Sequence, residues 1–400
     1  MAPGNDFPEE KFPWHLGIYD AHCHPTDTVS SRKEIPGMKA RILTVMATRG
    51  QDQHLVAEFA DELGLSHKQL KCVDVGRETP QCQLIPSFGW HPWFSHQLHD
   101  DRIVDRGHSL EGAEKVNHYK SVITPAPKDH DFILSLPDPR PLSDYLSQTR
   151  EYLTRYPYGA VGEIGLDRAF RIPENWLPGD PSAIIPGLTL GGREGRKLSP
   201  YRVSIEHQQV ILTAQLNLAG EMQRPVSVHG VSAHGVLYET LRSTWQGYEK
   251  KILSKRARKR RASAVAAYKD EDKDDAEIQN EQPCGRTLKP FPPRVCLHSY
   301  SGPPDTLKQY LHPSVPATIF FSFSKVINFS TSSTKAVDVI KAVPSDRLLI
   351  ESDLHCAGAH MDDLLEEIAR SVCQIKGWSL EEGVKLLASN WLYFIFGEER

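Results

Sequence analysis

The stretch Tyr19-Asp20-Ala21-His22-Cys23-His24 directly follows the apolar run Leu16-Gly17-Ile18. If this run starts a strand, the alternation of side chains sends His22 and His24 to the same face, where both imidazoles can reach one cation. Two histidines at this spacing also occur by chance in a chain that contains 18 His. The pair is therefore the nucleus of a candidate metal site, and residues elsewhere in the chain must support it.

Four later segments repeat the pattern of an apolar strand that ends in a residue able to ligate a metal. They are Ala160-Val161-Gly162-Glu163, Pro225-Val226-Ser227-Val228-His229, Arg294-Val295-Cys296-Leu297-His298 and Leu348-Leu349-Ile350-Glu351-Ser352-Asp353. In (β/α)8 barrels the catalytic groups come from the C-terminal ends of several different strands. The recurrence predicts a site of this kind, in which the strand ends meet at one mouth of a barrel.

The periodicity of the whole chain favours the same architecture. Strand patterns occur at 16–22, 41–47, 84–90, 159–165, 224–229, 293–298, 317–323 and 346–352. Helical patterns lie between and after them, at 52–63, 143–155, 201–222, 234–250, 304–311, 332–342, 361–376 and 379–396. Repeated alternation of strand and helix implies a parallel sheet, and eight units favour closure. We expect an α/β fold, with residues 1–400 forming a single TIM-like (β/α)8 barrel that has long inserted loops.

Three stretches are longer than ordinary connections require. Residues 95–142 and 168–200 each follow a strand, so we expect both to be loops that shape the pocket at the catalytic end. Residues 250–292 follow a helix and belong at the opposite end. This third insertion has a basic run at 255–261 and then an acidic run, with few apolar residues, which predicts disorder. The basic run is read either as a nuclear-import or nucleic-acid patch or as a solvated loop.

Composition narrows the class of protein. The chain has 400 residues, of which 39% are hydrophobic and 24% charged, and its formal net charge of −4 gives no global positive field for nucleic acid. Seven cysteines without a CxxC motif predict reduced thiols inside the cell, in the cytoplasm or the nucleus. No apolar run is long enough for a membrane span, so we expect no membrane association.

The strand ends together supply four imidazoles and two carboxylates, from His22, His24, Glu163, His229, His298 and Asp353. Such a set can hold two divalent ions, with imidazole suiting Zn and carboxylate also accepting Mg or Mn. A pair of ions can activate a water molecule and neutralise a leaving oxygen. The sequence therefore predicts a hydrolase that needs no serine or cysteine nucleophile.

At these residues the sequence resembles the TatD family of metal-dependent deoxyribonucleases within the amidohydrolase superfamily. The matching segments are Asp20-Ala21-His22-Cys23-His24, Gly89-Trp90-His91-Pro92, Gly162-Glu163-Ile164-Gly165-Leu166-Asp167, Gln215-Leu216-Asn217-Leu218-Ala219, Pro225-Val226-Ser227-Val228-His229, His298-Ser299-Tyr300-Ser301-Gly302, Glu351-Ser352-Asp353 and Asn390. They occur in the family's order and cover nearly the whole chain outside the insertions. The resemblance implies a TIM-like barrel that hydrolyses phosphodiester bonds in DNA.

The resemblance also implies roles for individual residues. Glu163 would bridge two metals, and Asp353 would ligate one metal and take the proton of the attacking water. His91 would contact a phosphate or support a ligand from behind, with a purely structural role as the alternative. Two segments depart from the family pattern, Leu354-His355-Cys356 after the final aspartate and Val231-Ser232 after His229, where a basic residue is often found. These departures concern the substrate pocket and leave the ligand set complete.

Two other functions stay open on the sequence alone. The same metals could activate water against a carbonyl, which would make the protein a hydrolase of small amides or esters; a closed pocket instead of a long basic groove would indicate this. The insertions resemble those of the family's fungal branch, which includes interaction partners of a subunit of the anaphase-promoting complex. The protein could accordingly be a barrel scaffold with a partner in the cell-cycle machinery and weak or no catalysis.

Overall fold

A computed structural model describes residues 10–65, 81–102, 107–174, 196–252, 289–330 and 334–397. Eight parallel strands form its centre: β1 Tyr19–Cys23, β2 Ile42–Met46, β3 Gln83–Ser87, β4 Val161–Asp167, β5 Val226–Val231, β6 Arg294–Leu297, β7 Thr318–Phe323 and β8 Leu348–Ile350. Each overlaps one of the eight predicted strands. The predicted α/β class with a TIM-like barrel is confirmed.

The strands pair in chain order and close into a ring. Parallel ladders join β1, β2 and β3, and a second set of ladders joins β4 through β8. A bridge between Ser87 and Ala160 links β3 to β4. On the other side, the Asp353 N–H donates to the His22 carbonyl at 3.0 Å, and the His24 N–H donates to the Leu354 carbonyl at 2.8 Å. The carboxyl ends of all eight strands therefore surround one mouth.

Helices surround this ring. In the described residues they are α1 Gly50–Leu63, α2 Gly112–Val122, α3 His130–Ser135, α4 Leu142–Arg155, α5 Ile205–Glu221, α6 His234–Thr244, α7 Pro304–Tyr310, α8 Lys325–Asn328, α9 Lys335–Ala342, α10 Ala359–Lys376 and α11 Leu380–Phe396. No helix in these residues is long and apolar enough to cross a membrane.

Helix α5 begins later than its sequence pattern predicts. Ser204 caps it by accepting a hydrogen bond from the His207 N–H at 3.3 Å, and the preceding Arg202–Val203 forms a short strand instead of a first turn. In the sequence, Val203, Val210, Ile211, Ala214 and Leu218 fall on one apolar stripe of the helix predicted at 201–222, which predicts that they face the core. Val210 is nevertheless 36% exposed. Similarly, the helix expected at 234–250 ends at Thr244.

Helix α11 closes the amino-terminal end of the barrel. The Trp391 ring stacks on that of Tyr19, with ring centroids 4.5 Å apart and planes at 10°, and its Nε1–H donates to Thr44 Oγ1 at 3.1 Å. A buried cluster joins this helix to side chains of six strands: Tyr19, Ala21, Ile42, Ile85, Cys296, Phe320, Leu349, Ala388, Trp391, Phe394 and Ile395. The helix predicted at 379–396 is confirmed, it closes this end of the barrel, and the open mouth is at the other end.

The first insertion is more ordered than the expected loop. Residues 95–142 contain α2 and α3, and they bury a small core made of Tyr119, Val122, Ile123, Phe132, Ile133 and Leu136 together with Ile172 and Val203. Because Ile172 belongs to the second insertion, the described parts of the two insertions pack together. The predicted disorder of 250–292 falls mostly on residues 253–288, which lie outside the described residues.

Three histidines lie where the first insertion meets α5, and we call them the outer histidine group: His96, His118 and His207. The His118 Nε2–H donates to the His96 carbonyl at 2.8 Å, and the His207 Nε2–H donates to the Ser95 carbonyl at 2.9 Å. Burial lowers the pKa of His96 to about 3 and of His118 to about 4, and it also lowers the pKa of His207. The negative charge of Asp100 partly offsets the lowering of the His207 pKa. The group is neutral in the folded protein at neutral pH.

Replacing His118 with glutamine should flatten the acid dependence of stability. Between pH 6.5 and about 4 the unfolded chain binds a proton at His118 that the folded protein does not, so stability is lost as the pH falls through this window. Glutamine keeps an N–H donor but does not titrate. The slope of the free energy of unfolding against pH should therefore decrease by up to about 1.4 kcal/mol per pH unit. Urea unfolding at several pH values measures this, and parallel curves for the two proteins would contradict the assignment.

Candidate metal centre

The six side chains singled out in the sequence gather around one carboxylate, that of Glu163 on β4. Its Oε2 lies 3.4 Å from His22 Nε2 and 3.3 Å from His24 Nε2. Its Oε1 lies 2.9 Å from His229 Nδ1 and 2.8 Å from His298 Nε2. Asp353 Oδ1 joins the first side, 3.5 Å from His24 Nε2. Residues from 22 to 353 therefore meet at the mouth of the barrel, with Glu163 between two sets of donors.

Close contact between β3 and β4 places this carboxylate. A side chain at Gly89 would bring its Cβ within 2.4 Å of the Gly162 carbonyl carbon, so only glycine permits the strands to approach this closely. The Glu163 N–H donates to the Ala47 carbonyl of the β2 end at 2.9 Å. Backbone packing on both sides thus fixes the position from which the Glu163 side chain enters the mouth.

On the first side, His22 and His24 face each other as the alternation in β1 predicts. Their Nε2 atoms are 3.1 Å apart, and His22 Nδ1 lies 2.8 Å from Ser227 Oγ of β5. Asp353 lies just beyond β8 with a φ of 55°, in the left-handed region that aspartate tolerates better than most residues. This backbone conformation is the one in which its carboxylate reaches His24.

On the second side, a carboxylate sets the tautomer of His229. His229 Nε2 lies 3.1 Å from Asp167 Oδ2, and because a carboxylate accepts, Nε2 carries the proton. In the neutral ring Nδ1 then carries a lone pair instead of a proton. This lone pair faces the Glu163 carboxylate, 2.9 Å away, and His298 Nε2, 3.2 Å away. Acceptors that face one another need a positive charge between them. The donor set on this side therefore fits a cation.

His91 also touches Glu163, but as a hydrogen-bond donor. Its Nδ1 accepts the Trp93 N–H at 3.2 Å, so its proton is on Nε2, which lies 3.0 Å from Glu163 Oε1. Burial lowers the pKa of His91 to about 4, so the ring is neutral. The structure places His91 behind the carboxylate, where it orients Glu163, and the lone pair that could bind a cation is taken by the backbone.

The pKa shifts of the buried carboxylates and imidazoles show that positive charge stabilises this site. Burial opposes ionisation of Glu163, yet His91, His298 and His22 hold its pKa well below the usual range. Burial also opposes charge on His24 and His298, but Asp353 and Glu163 raise the pKa of His24 to about 9, and Glu163 raises the pKa of His298 well above its usual value. Protons on these two imidazoles balance the carboxylates, and a bound cation can take their place.

Three sets of side chains have potential donor atoms close to one another: His22, His24 and Asp353; His22, His298 and Glu351; and His91, Glu163 and His229. In the third set only Glu163 and His229 can bind a cation, because His91 Nδ1 accepts the Trp93 N–H and its Nε2–H points at Glu163. Glu351 is fully buried, accepts the Ser299 N–H at 2.7 Å and lies 3.6 Å from His298 Nδ1. The described residues thus contain histidine and carboxylate clusters that could bind metal, and they are built from all six predicted ligands.

The sequence patterns did not assign a role to four further residues near the site. Asp167 lies four positions after Glu163 on the same strand, so alternation alone could have placed it on the same face. Glu351 belongs to the segment Glu351-Ser352-Asp353, which matches the family, so its motif could have indicated a role. Arg49 follows β2, whose carboxyl end supplies none of the predicted ligands. Trp93 carries no local signal, because its contact with Asp167 joins positions that are distant in sequence.

A cavity of about 700 Å³ opens above the cluster at the barrel mouth. Its floor contains His24, Glu163, His229 and Asp353, and Arg49, Arg171 and His355 lie in its walls. The remaining wall is largely apolar and is lined by Trp93, Phe94, Phe170, Leu198, Val231 and Ile327. The cavity gives a substrate direct access to the donor atoms, and its lining combines arginine side chains with a larger apolar part.

Comparison with known proteins identifies a family that covers nearly the whole chain. The family model of TatD-related DNases matches residues 19–395. Cut9-interacting protein scn1 of Schizosaccharomyces pombe is 35% identical over 378 residues, which are 94% of this chain and 98% of that protein. An uncharacterized deoxyribonuclease of Saccharomyces cerevisiae is 26% identical over 343 residues, which are 84% of this chain and 83% of that protein.

Among solved structures, an uncharacterized amidohydrolase from Saccharomyces cerevisiae matches with a TM-score of 0.52 and 14% sequence identity, and the match covers 95% of this chain and 99% of that one. At this identity the likeness concerns the fold alone, and it is the barrel described above. The family match extends from β1 to the closing helix α11 and includes every strand that supplies the metal centre. The chain therefore belongs to the TatD family of hydrolases.

Proposed function

We propose that the protein cleaves phosphodiester bonds in DNA with two divalent metal ions, Zn, Mg or Mn. The observation that carries the proposal is the position of Glu163, whose two carboxylate oxygens each face a separate set of imidazole donors. His22, His24 and Asp353 would hold one ion, and His229 and His298 the other. Glu163 would contact both. When bound, such ions acidify water and neutralise charge on a leaving oxygen.

The protein's own side chains have separate parts in this reaction. Asp353 is ionised and faces the cavity, so it can accept the proton of the attacking water, a contribution worth about 10²–10⁴ in rate. His91 donates to Glu163 and holds its carboxylate in place. Asp167 keeps the His229 proton on Nε2, so that Nδ1 stays available as a donor atom.

Arg49 supports a phosphate-bearing substrate. Its side chain is 4% exposed, lies between Asp27 and Asp52 at 3.7 Å and 3.6 Å, and borders the cavity. This position brings a guanidinium, held by two carboxylates, to the mouth, although Val231 and Ser232 replace the basic residue expected after His229. A guanidinium is well suited to a phosphodiester oxygen, because its donors form a planar fork.

The test is hydrolysis by metal-stripped protein to which Mg, Mn or Zn is returned singly, with supercoiled and single-stranded DNA as substrates. We expect no cleavage without metal and cleavage of at least one DNA with metal. Loss on chelation and recovery on addition exclude a contaminating metal-independent nuclease. Hydrolysis of p-nitrophenyl acetate without cleavage of either DNA would instead favour an esterase or amidase.

A second role is favoured by the relative in Schizosaccharomyces pombe, whose name describes interaction with Cut9. We propose that this chain also binds a protein of the Cut9 kind, as part of the cell-cycle machinery. Binding of purified Cut9 to the wild-type chain and to Asp353→Asn separates this role from catalysis. Equal binding by both proteins would make the barrel a scaffold for the partner, and absence of binding would remove the role.

A further inference from the structure

Two aromatic rings form part of the cavity wall beside the metal centre, and we call them the aromatic pair: Trp93 and Phe170. Their ring centroids are 4.3 Å apart and their planes are inclined by only 9°. Both side chains are half-buried and both line the cavity. The two rings therefore cover one face of each other and form an apolar block at the edge of the cavity, where a bound molecule can reach it.

One carboxylate fixes the aromatic pair and the metal centre in relation to each other. The Trp93 Nε1–H donates to Asp167 Oδ2 at 2.6 Å, and the Phe170 N–H donates to Asp167 Oδ1 at 2.9 Å. Asp167 Oδ2 also accepts the His229 Nε2–H at 3.1 Å. Since the same side chain holds all three residues, the aromatic surface stays at a constant place next to His229, whose ring centroid is 6.1 Å from that of Trp93.

The cavity combines this surface with positive charge. The Arg49 guanidinium lies 5.1 Å from the Phe94 ring centroid, and Phe94 is next to Trp93 in the chain and in the same wall. A molecule that fills the cavity thus meets donor atoms for metal, a guanidinium and a flat apolar face. An aliphatic ester or a simple amide would leave the charged and the flat parts of this environment without a counterpart.

We propose that the face of the Phe170 ring turned away from Trp93 is a stacking subsite for the base of a nucleotide whose phosphate lies at the metal centre, with Trp93 supporting the ring from behind. The proposal rests on the proposed phosphodiester hydrolysis and adds how the substrate is held. Every nucleobase has a flat π face, so such a subsite binds different bases similarly. Phe170 lies in the second insertion, three residues after Asp167, so this insertion contributes directly to substrate binding.

The test compares two small ligands, dTMP and 2-deoxyribose 5-phosphate, which carry the same sugar and phosphate and differ in the base. Isothermal titration of the full-length protein loaded with Mn²⁺ should show that dTMP binds about 5–150-fold more tightly. Phe170→Leu should reduce this ratio to less than about threefold without changing the affinity for 2-deoxyribose 5-phosphate. Phe170→Tyr, which keeps the ring, should retain the ratio. Trp93 is not substituted, because its loss would also release Asp167.

Equal affinity of the wild-type protein for the two ligands would overturn the subsite, as would an unchanged ratio in Phe170→Leu. Either result could occur in a protein that still cleaves DNA, so failure of the subsite is distinct from failure of the proposed function. In the reverse case, a base-dependent ratio in a protein that cleaves no DNA would keep the subsite and remove the nuclease assignment. Circular dichroism of both variants verifies that they are folded.

Discussion

Asp353→Asn is expected to abolish hydrolysis while leaving the fold intact. The asparagine side chain has nearly the same shape, and asparagine also tolerates the φ of 55° at this position, so the backbone beyond β8 should not change. What is lost is the charge beside His24 and the ability to take a proton from water. Burial opposes ionisation of Asp353, but the hydrogen bond from His24 lowers its pKa to about 2, so wild-type Asp353 carries that charge at neutral pH. Loss of proton transfer alone should lower the rate by about 10²–10⁴.

A second buried aspartate supplies the control for this experiment. Asp362 accepts the Lys39 and Ala40 N–H groups at 2.8 Å and 2.9 Å, and it does not line the cavity. Asp362→Asn should lower the melting temperature but keep the rate of DNA cleavage per folded molecule. Rates and circular dichroism measured on the same preparations separate the two kinds of effect. An Asp353→Asn protein that binds metal and cleaves DNA at the wild-type rate would refute the proposed role.

Glu163→Gln should have the second large effect, on metal binding itself. One carboxylate faces both donor sets, so its amide loses charge on both sides at once. The amide also has only one oxygen with which to accept the His91 Nε2–H. Loss of a residue that only supports a ligand costs about 10–100-fold in metal affinity. We therefore expect the affinity for the weaker-bound ion to decrease at least about 100-fold, and hydrolysis to be lost.

Titration of metal-stripped protein with Mn²⁺ or Zn²⁺ measures this effect independently of activity. Glu351→Gln is the matched control, because Glu351 is as deeply buried but its direct contact with the donor histidines is with His298, at 3.6 Å from Nδ1. Glu351→Gln should weaken the binding of one ion and leave the affinity for the other unchanged. If Glu163→Gln bound two ions with the affinity of the wild-type protein, Glu163 could not lie between them.

Local patterns in the chain were sufficient for the barrel and for the residues of its mouth. Apolar strands alternating with helices need only short-range periodicity to be recognised, and parallel pairing then brings every strand's carboxyl end to one side. That His22 and His24 lie on the same side of β1 could be predicted, because the alternation of side chains along a strand depends only on neighbouring residues. The same reasoning applied to Asp167 would have identified the partner of His229.

Other features depend on contacts between segments distant in sequence. The first insertion reads as a loop, yet its apolar residues find partners in Ile172 and Val203 and form a core of their own. Val210 fits an apolar stripe but is exposed, because a stripe predicts which side of a helix faces inward only when something packs there. Conversely, helix α5 starts after Ser204 because Arg202–Val203 pairs with Ile123–Thr124.

What the sequence by itself determined is thus the barrel and the residues that gather around Glu163, since both follow from residue types repeated at local spacing, and the family, which follows from the resemblance of its motifs. Only the tertiary structure decided how the donors divide between the two oxygens of Glu163, that His91 donates instead of binding a cation, and that Trp93, Phe170 and Arg49 border one cavity. The physical reason is that distances of about 3 Å across the barrel depend on the closure of the strand ring and on backbone approaches such as that of Gly89 to Gly162, which no local pattern encodes.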